Sequence, residues 1–335
     1  MTKPEEHWWP LATAEELSAR EPLSRQLHGV PLVVFRDGAG RPAALHDRCP
    51  HRHAPLSRGK VCNGELACPY HGWRFDGAGR CTRVPGIAGV GIGASLVPAL
   101  ETRVAHGLVW GCFAHGANTP ALVPPSVDDG VDAFFMVDTA NCSVAAAAEN
   151  LLDASHTPFV HAGLIRRDSR RQQVRAEVRA LPDGIEVRYS EEDVQSGLVS
   201  KFLEGSRTES FGRFRLPGVA EIEYRGRDGL NLLATAWLVP EDIGRLRVYV
   251  RIATRDGWTP AWLKKIILSR LFGLIFRQDK EILEATHANI KRFEAVGPNT
   301  RVLDSPVDLL GPSIRRLLAG DPLETSTERV VSLCI

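Results

Sequence analysis

Four of the seven cysteines, Cys49, Cys62, Cys68 and Cys81, crowd into one short stretch that also holds His46, His51, His53 and His71. Within it, Cys49-Pro-His51 and Cys68-Pro-Tyr-His71 each read as a tight loop carrying one sulfur and one imidazole, with sixteen residues between His51 and Cys68. Thiolate and imidazole together select soft or borderline metals. A chain with this pattern is therefore constrained to clamp one metal group between the two loops. Pro50 and Pro69 restrict the backbone inside each loop, and Gly59, Gly64 and Gly72 are read as supplying turn freedom.

Two thiolates on one iron and two imidazoles on the other form the ligand set of a Rieske [2Fe–2S] centre. Zinc is the alternative on ligand identity alone. Zinc fingers, however, favour a cysteine pair followed by a histidine pair, whereas here each half carries one of each. His46 and His53 are read as solvent-facing or hydrogen-bonding, and Cys62 and Cys81 as free thiols. With an odd cysteine count and no export signal in the polar, acidic Met1–Pro10 stretch, a reducing cytoplasm is the expected compartment.

The 335 residues suit two domains. Lys+Arg 41 against Asp+Glu 40 leaves a net charge of +1, which provides no basic field for nucleic acid. The most apolar helical stretch, Ala261 to Phe276, contains Lys264, Lys265 and Arg270, so no membrane span is expected.

The first third reads as short β segments, with strands at Pro31–Arg36 and Gly107–Phe113 and a loop at Pro85–Pro98. Gly89-Val-Gly91-Ile-Gly93 lacks the spacing of a dinucleotide fingerprint. Residues 116–130 read as a linker, giving a small β domain at 1–115 and an α+β domain at 116–335. In the latter a helix is expected around 143–157, starting behind Asn141. Alternating segments at 173–190 and 209–254 suit an antiparallel sheet. A long amphipathic helix follows from Pro260 to Phe293, and a shorter one near 306–318.

A second constellation lies in Glu149-Asn-Leu-Leu-Asp153-Ala-Ser-His156-Thr-Pro-Phe-Val-His161. Two histidines and a carboxylate from elsewhere would make the facial triad of oxygen-activating ferrous enzymes. Asp153 and His156 would share a helix face, but His156 and His161 stand about 140° apart on an ideal helix. Both reach one metal only if the helix breaks between them, and Pro158 is read as that break. Alone, the pair reads more readily as hydrogen-bonding histidines at a polar helix end; the metal loops in the same chain favour the ligand reading. On the long helix, Glu281 and Glu284 have polar neighbours and look solvated. Asp279 instead has Phe272, Ile275, Phe276, Ile282 and Leu283 around it. A carboxylate in an apolar stripe is costly unless paired or metal-bound, so Asp279 is the candidate third ligand; an arginine partner is the alternative.

The run Cys49-Pro-His-Arg-His-Ala-Pro-Leu-Ser57 with Cys68-Pro-Tyr-His-Gly-Trp-Arg-Phe-Asp76 resembles the Rieske non-heme iron oxygenases. Ala54 and Tyr70 stand where respiratory Rieske proteins carry disulfide cysteines. Asp153-x-x-His156-x-x-x-x-His161 and Gln278-Asp279-Lys280 resemble the same family, specifically its short monooxygenase or demethylase α components. The resemblance implies an N-terminal all-β Rieske domain followed by a helix-grip (START-like) catalytic domain, an α+β fold with an antiparallel sheet and a long C-terminal helix. It implies a cluster on Cys49, His51, Cys68 and His71, and mononuclear Fe(II) on His156, His161 and Asp279. It also implies a homotrimer in which Asp153 holds His156 and receives a hydrogen bond from His71 of a neighbouring subunit.

No flavin or nicotinamide fingerprint is present, so electrons are expected ultimately from NAD(P)H through a separate ferredoxin or flavin reductase. The implied reaction uses O2 to hydroxylate an organic, aromatic or polycyclic substrate, with O- or N-demethylation as one outcome. A cis-dihydroxylating dioxygenase and a Rieske electron-transfer protein with a binding module remain alternatives. Arg52, Arg58 and the run Arg166–Arg171 read as charged surface loops, with an acidic partner or an anionic substrate as their functional alternatives.

Overall fold

The computed structural model describes residues 7–86, 96–114, 123–190, 207–257, 259–297, 302–323 and 327–334. The chain groups into two units, Lys3–Pro124 with Val239–Ile243, and Pro125–Leu238 with Gly244–Ile335.

Among its described residues the first unit forms strands and one 3-10 turn, Leu56–Arg58. Its strands are β1 (Trp9–Thr13), β2 (Leu23–Leu27), β3 (Val30–Arg36), β4 (Pro42–His46), β5 (Lys60–Cys62), β6 (Glu65–Ala67), β7 (Arg74–Phe75), β8 (Cys81–Arg83), β9 (Ala99–Ala105) and β10 (Leu108–Cys112). They form a six-stranded sheet in the order β1-β10-β9-β4-β3-β2 and a four-stranded sheet in the order β5-β6-β7-β8. The strands expected at Pro31–Arg36 and Gly107–Phe113 are β3 and β10. Their apolar runs are buried on both faces, the pattern of strands enclosed within a core. The small sheet frames the metal loops, one between β4 and β5 and the other between β6 and β7. Leu56, Leu66 and Phe75 are fully buried in one cluster with Cys49 and Cys68. Residues 87–95 of the expected Pro85–Pro98 loop and 116–122 of the expected linker lie outside the described residues.

The second unit carries β11 (Val131–Ala140), β12 (Gln173–Leu181), β13 (Gly184–Ser190), β14 (Arg207–Arg215), β15 (Val219–Gly226), β16 (Gly229–Asp242), β17 (Arg245–Arg255) and β18 (Arg329–Cys334). They make one antiparallel sheet in the order β11-β17-β16-β15-β14-β13-β12-β18. The side chains alternate between faces as a pleat requires. Ile185, Val187, Phe214, Ala220 and Leu232 enter the core. The opposite face carries an Arg/Glu ladder in which Arg213 bridges the buried Glu186 and Glu223, while Arg215 holds Glu221.

Among the described residues the unit also carries the α-helices α1 (Val144–Leu152), α2 (Thr157–Val160), α3 (Ala261–Glu294) and α4 (Gly311–Ala319). The stripe Leu268, Phe272, Ile275 and Asp279 on α3 is buried at helical spacing, and its apolar members pack into the sheet's core.

Several local expectations are corrected. The Ser143 hydroxyl, not Asn141, caps α1 by accepting from Ala146 N at 3.1 Å. Asn141 N and Nδ2 instead donate to Glu284 Oε1, at 3.0 and 3.1 Å, so Glu284 is not simply solvated. The helix expected over 143–157 stops at Leu152, ahead of both histidines. Asp153 turns extended and captures the Ser155 and His156 amides, a side-chain competition that ends helices. Pro158 then occupies the first turn of α2, where its missing N–H costs nothing. Pro312 likewise sits in the first turn of α4, which starts later than the expected 306.

Candidate metal centres

The two cysteine loops share one backbone design. Cys49 N donates to Ala54 O (2.9 Å) and His53 N to Cys49 O (2.8 Å); Cys68 N donates to Trp73 O (2.8 Å) and Gly72 N to Cys68 O (3.1 Å). Each loop therefore closes on the fourth and fifth residues after its cysteine. The fourth residue is left-handed in both, His53 at φ 58° and Gly72 at φ 71°. This gives His53 a backbone role, and it is exposed, while His46 lies edge-on to Phe113. Gly59 is not needed for turn freedom. Its backbone is extended, and a Cβ there would stand 2.0 Å from Ala67 O.

Cys49 and Cys68 are buried free thiols. Burial, aided by the neighbouring Cys68 thiol, pushes Cys49 up to about 11. A thiol so unwilling to ionise next to another is the setting in which a bound metal stabilises the thiolate. The His51 and His71 rings lie 4.6 Å apart, and the buried His51 Nδ1 has no protein hydrogen-bond partner. Burial, then His71 and Arg52, hold His51 below the usual imidazole range, leaving a neutral ring able to ligate. Donor chemistry and orphaned nitrogen both fit a cluster. Cys62 and Cys81 are also free thiols.

In the second unit, His156 and His161 stand at opposite ends of α2, and Asp279 reaches them from α3. His156 Nε2 lies 3.3 Å from His161 Nε2 and 3.4 Å from Asp279 Oδ1, and His161 Nε2 lies 3.0 Å from the same oxygen. Adjacent ligands of an octahedral metal, each ~2.1 Å from it, stand about 3 Å apart. The triangle therefore has the edges of a three-ligand face.

The supporting hydrogen bonds aim these atoms. His161 Nδ1 donates to Gln278 Oε1 at 2.9 Å, so its Nε2 is the lone-pair nitrogen directed at the triangle. Gln278 is a member of this cluster that the sequence did not single out. Its signal was only adjacency to Asp279. Asp153 Oδ2 accepts from His156 N at 3.1 Å and from Ser155 Oγ at 2.9 Å; the His156 ring Nδ1 is 3.6 Å away, an ion-pair contact rather than a hydrogen bond. Asp153 thus fixes the His156 backbone more firmly than its ring. Burial opposes charge on His156, but Asp153 and Asp279 outweigh it and raise the ring to about 9. Burial also opposes charge on both carboxylates, yet His156 and Ser155 hold Asp153, and His156 and His161 hold Asp279, below the usual carboxylate range.

A cavity opens beside the triangle, walled by Ile222, Leu232, Ala234, Val250, Phe272 and Phe276, among others. Arg166, expected at the surface, is buried in that wall and donates to Ala154 O at 3.1 Å. Farther along the run, Arg167, Asp168 and Ser169 are exposed and Arg171 pairs with Asp168. No described helix is long and apolar enough to cross a membrane.

Residues 7–98 match the Rieske [2Fe-2S] domain family, and residues 140–320 match the vanillate O-demethylase oxygenase C-terminal domain family. The chain belongs to the Rieske oxygenases with that catalytic domain. It is similar to chlorophyllide a oxygenase of Chlamydomonas reinhardtii, at 35% identity over 48% of this chain and 25% of that protein. It is also similar to the oxygenase component of dicamba O-demethylase from Stenotrophomonas maltophilia, at 33% identity over 60% of each chain. The crystal structure of dicamba monooxygenase bound to 3,6-dichlorosalicylic acid matches with a TM-score of 0.80 and 26% identity, over 96% of this chain and 98% of that one. The chain spans 25%, 42% and 32% of the length of three curated relatives.

Proposed function

We propose that this chain is the terminal component of a Rieske monooxygenase. In this reading it takes O2 and two electrons from a separate reductase and hydroxylates an organic substrate held in the apolar cavity. The His156–His161–Asp279 triangle carries the reading, because three aimed donor atoms border a mostly apolar cavity large enough to line with two dozen residues. His156, His161 and Asp279 would hold the mononuclear iron, and Cys49, His51, Cys68 and His71 the cluster. When bound, these groups supply oxygen activation and one-electron transfer.

The chain's own residues do the remaining work. Gln278 fixes the tautomer of His161. Asp153 holds the turn that presents His156, and in an expected trimer it is the residue that would receive His71 of a neighbouring subunit. The apolar walls exclude water and orient a largely apolar substrate. Seven free thiols suit a reducing compartment such as the cytoplasm.

Demethylation of a methoxy or methylamino substrate is the favoured outcome, supported by likeness to dicamba O-demethylase. It would hydroxylate the methyl carbon and release formaldehyde. The test is a single turnover of chemically reduced protein with labelled oxygen and a panel of aryl methyl ethers, N-methyl compounds and polycyclic substrates. Methyl loss with formaldehyde supports demethylation. Gain of one labelled oxygen without carbon loss makes the enzyme a hydroxylase.

A further inference from the structure

The two metal loops are alike in backbone and unlike at one side chain. The fifth residue after each cysteine closes its loop through a carbonyl, and it is Ala54 in the first loop and Trp73 in the second. The Trp73 ring lies flat on His51, with centroids 4.9 Å apart and planes 8° from parallel. His51 also meets the edge of His71, so one ring face is covered by indole and its Nδ1 is buried. His71 is less enclosed: it is exposed, and the Tyr70 ring that lies 3.9 Å from it is tilted by 31° and is itself 65% exposed.

We propose that Trp73 is a positioning residue for the iron–sulfur centre, which shields His51 from water and so lowers the centre's reduction potential. The inference rests on the reading of Cys49, His51, Cys68 and His71 as cluster ligands. A cluster with two thiolates and two neutral imidazoles is uncharged when oxidised and carries one negative charge when reduced. Water stabilises the charged form, so a flat apolar cover over one ligand disfavours reduction. Solvent exposure is among the recognised determinants of such potentials. The asymmetry leaves His71 as the open side of the centre.

The test compares the midpoint potential of the purified full chain with those of Trp73→Phe, Trp73→Leu and Trp73→Ala. Iron content and visible absorbance are measured first on the unaltered chain; a missing cluster there counts against the ligand reading rather than against Trp73. The expected result is an upward shift that grows from Phe to Leu to Ala among the variants that retain the cluster, with Phe close to the parent. Unchanged potentials across loaded variants would overturn the proposal and leave Trp73 as a space-filler. Loss of the cluster in Trp73→Phe would overturn it as well, since a phenyl ring still offers His51 a flat cover.

Discussion

Gln278 and Asp279, adjacent on α3, address opposite nitrogens of one ring. Gln278 Oε1 accepts from His161 Nδ1 at 2.9 Å, while Asp279 Oδ1 stands 3.0 Å from His161 Nε2. Consecutive helical residues point about 100° apart, so a single imidazole wedged between them is fixed in rotation and in tautomer. Removing the amide frees the ring to flip or to take the wrong tautomer. Gln278→Ala should weaken ferrous binding about 10- to 100-fold with the cluster intact, as read by anaerobic iron titration. Binding as tight as in the parent would remove Gln278 from the site.

Asp153 is tested best by a change that keeps its shape. Its carboxylate accepts from the Ser155 amide and hydroxyl and from the His156 amide, so Asp153→Ala mixes loss of charge with loss of the turn. Asp153→Asn retains an acceptor for the backbone. Asp153→Asn should keep full metal content, and its turnover should be nearly abolished. Substantial turnover with full metal content would exclude the bridging role.

Cys68→Ser separates the two centres. The variant should lose visible absorbance and fall from about three irons per chain to about one. A variant that also lost the remaining iron would show that the two sites fold together.

The Arg/Glu face of the sheet makes a prediction about stability alone. Arg213 bridges Glu186 and Glu223, both almost wholly buried. Arg213→Met strips a shared cation from two carboxylates that cannot reach bulk water. It should destabilise the chain by about 3 kcal/mol in urea unfolding, and a loss below about 1 kcal/mol would mean that the other partners, Arg179 on Glu186 and Arg225 on Glu223, suffice.

What the sequence made legible follows from the range of each interaction. Cys49, His51, Cys68 and His71 were readable because each loop closes within five residues. Asp279 was readable because a carboxylate in an apolar helical stripe stands out against its neighbours; Phe272 and Ile275 of that stripe are buried with it as expected, whereas Ile282 is exposed. The approach to His156 was misread. Pro158 looked like the break, yet Asp153 ends α1 first by taking backbone amides, and the proline only starts α2. Arg166 was misread as surface because charge runs are normally solvated, and only the packing of the cavity wall buries one member. Gln278 and Trp73 carry roles set by tertiary contact alone, with no local pattern to announce them.

The central claim is that one chain holds both an electron-transfer cluster and a separate oxygen-activating iron. The most direct measurement is iron analysis with Mössbauer spectroscopy on the purified chain, repeated on Asp279→Ala. The account predicts about three irons per chain, two in a cluster and one a high-spin ferrous ion, with only the last lost from Asp279→Ala. A parent chain with about two irons, all in the cluster, and an unchanged spectrum in the variant would contradict it and leave an electron-transfer protein.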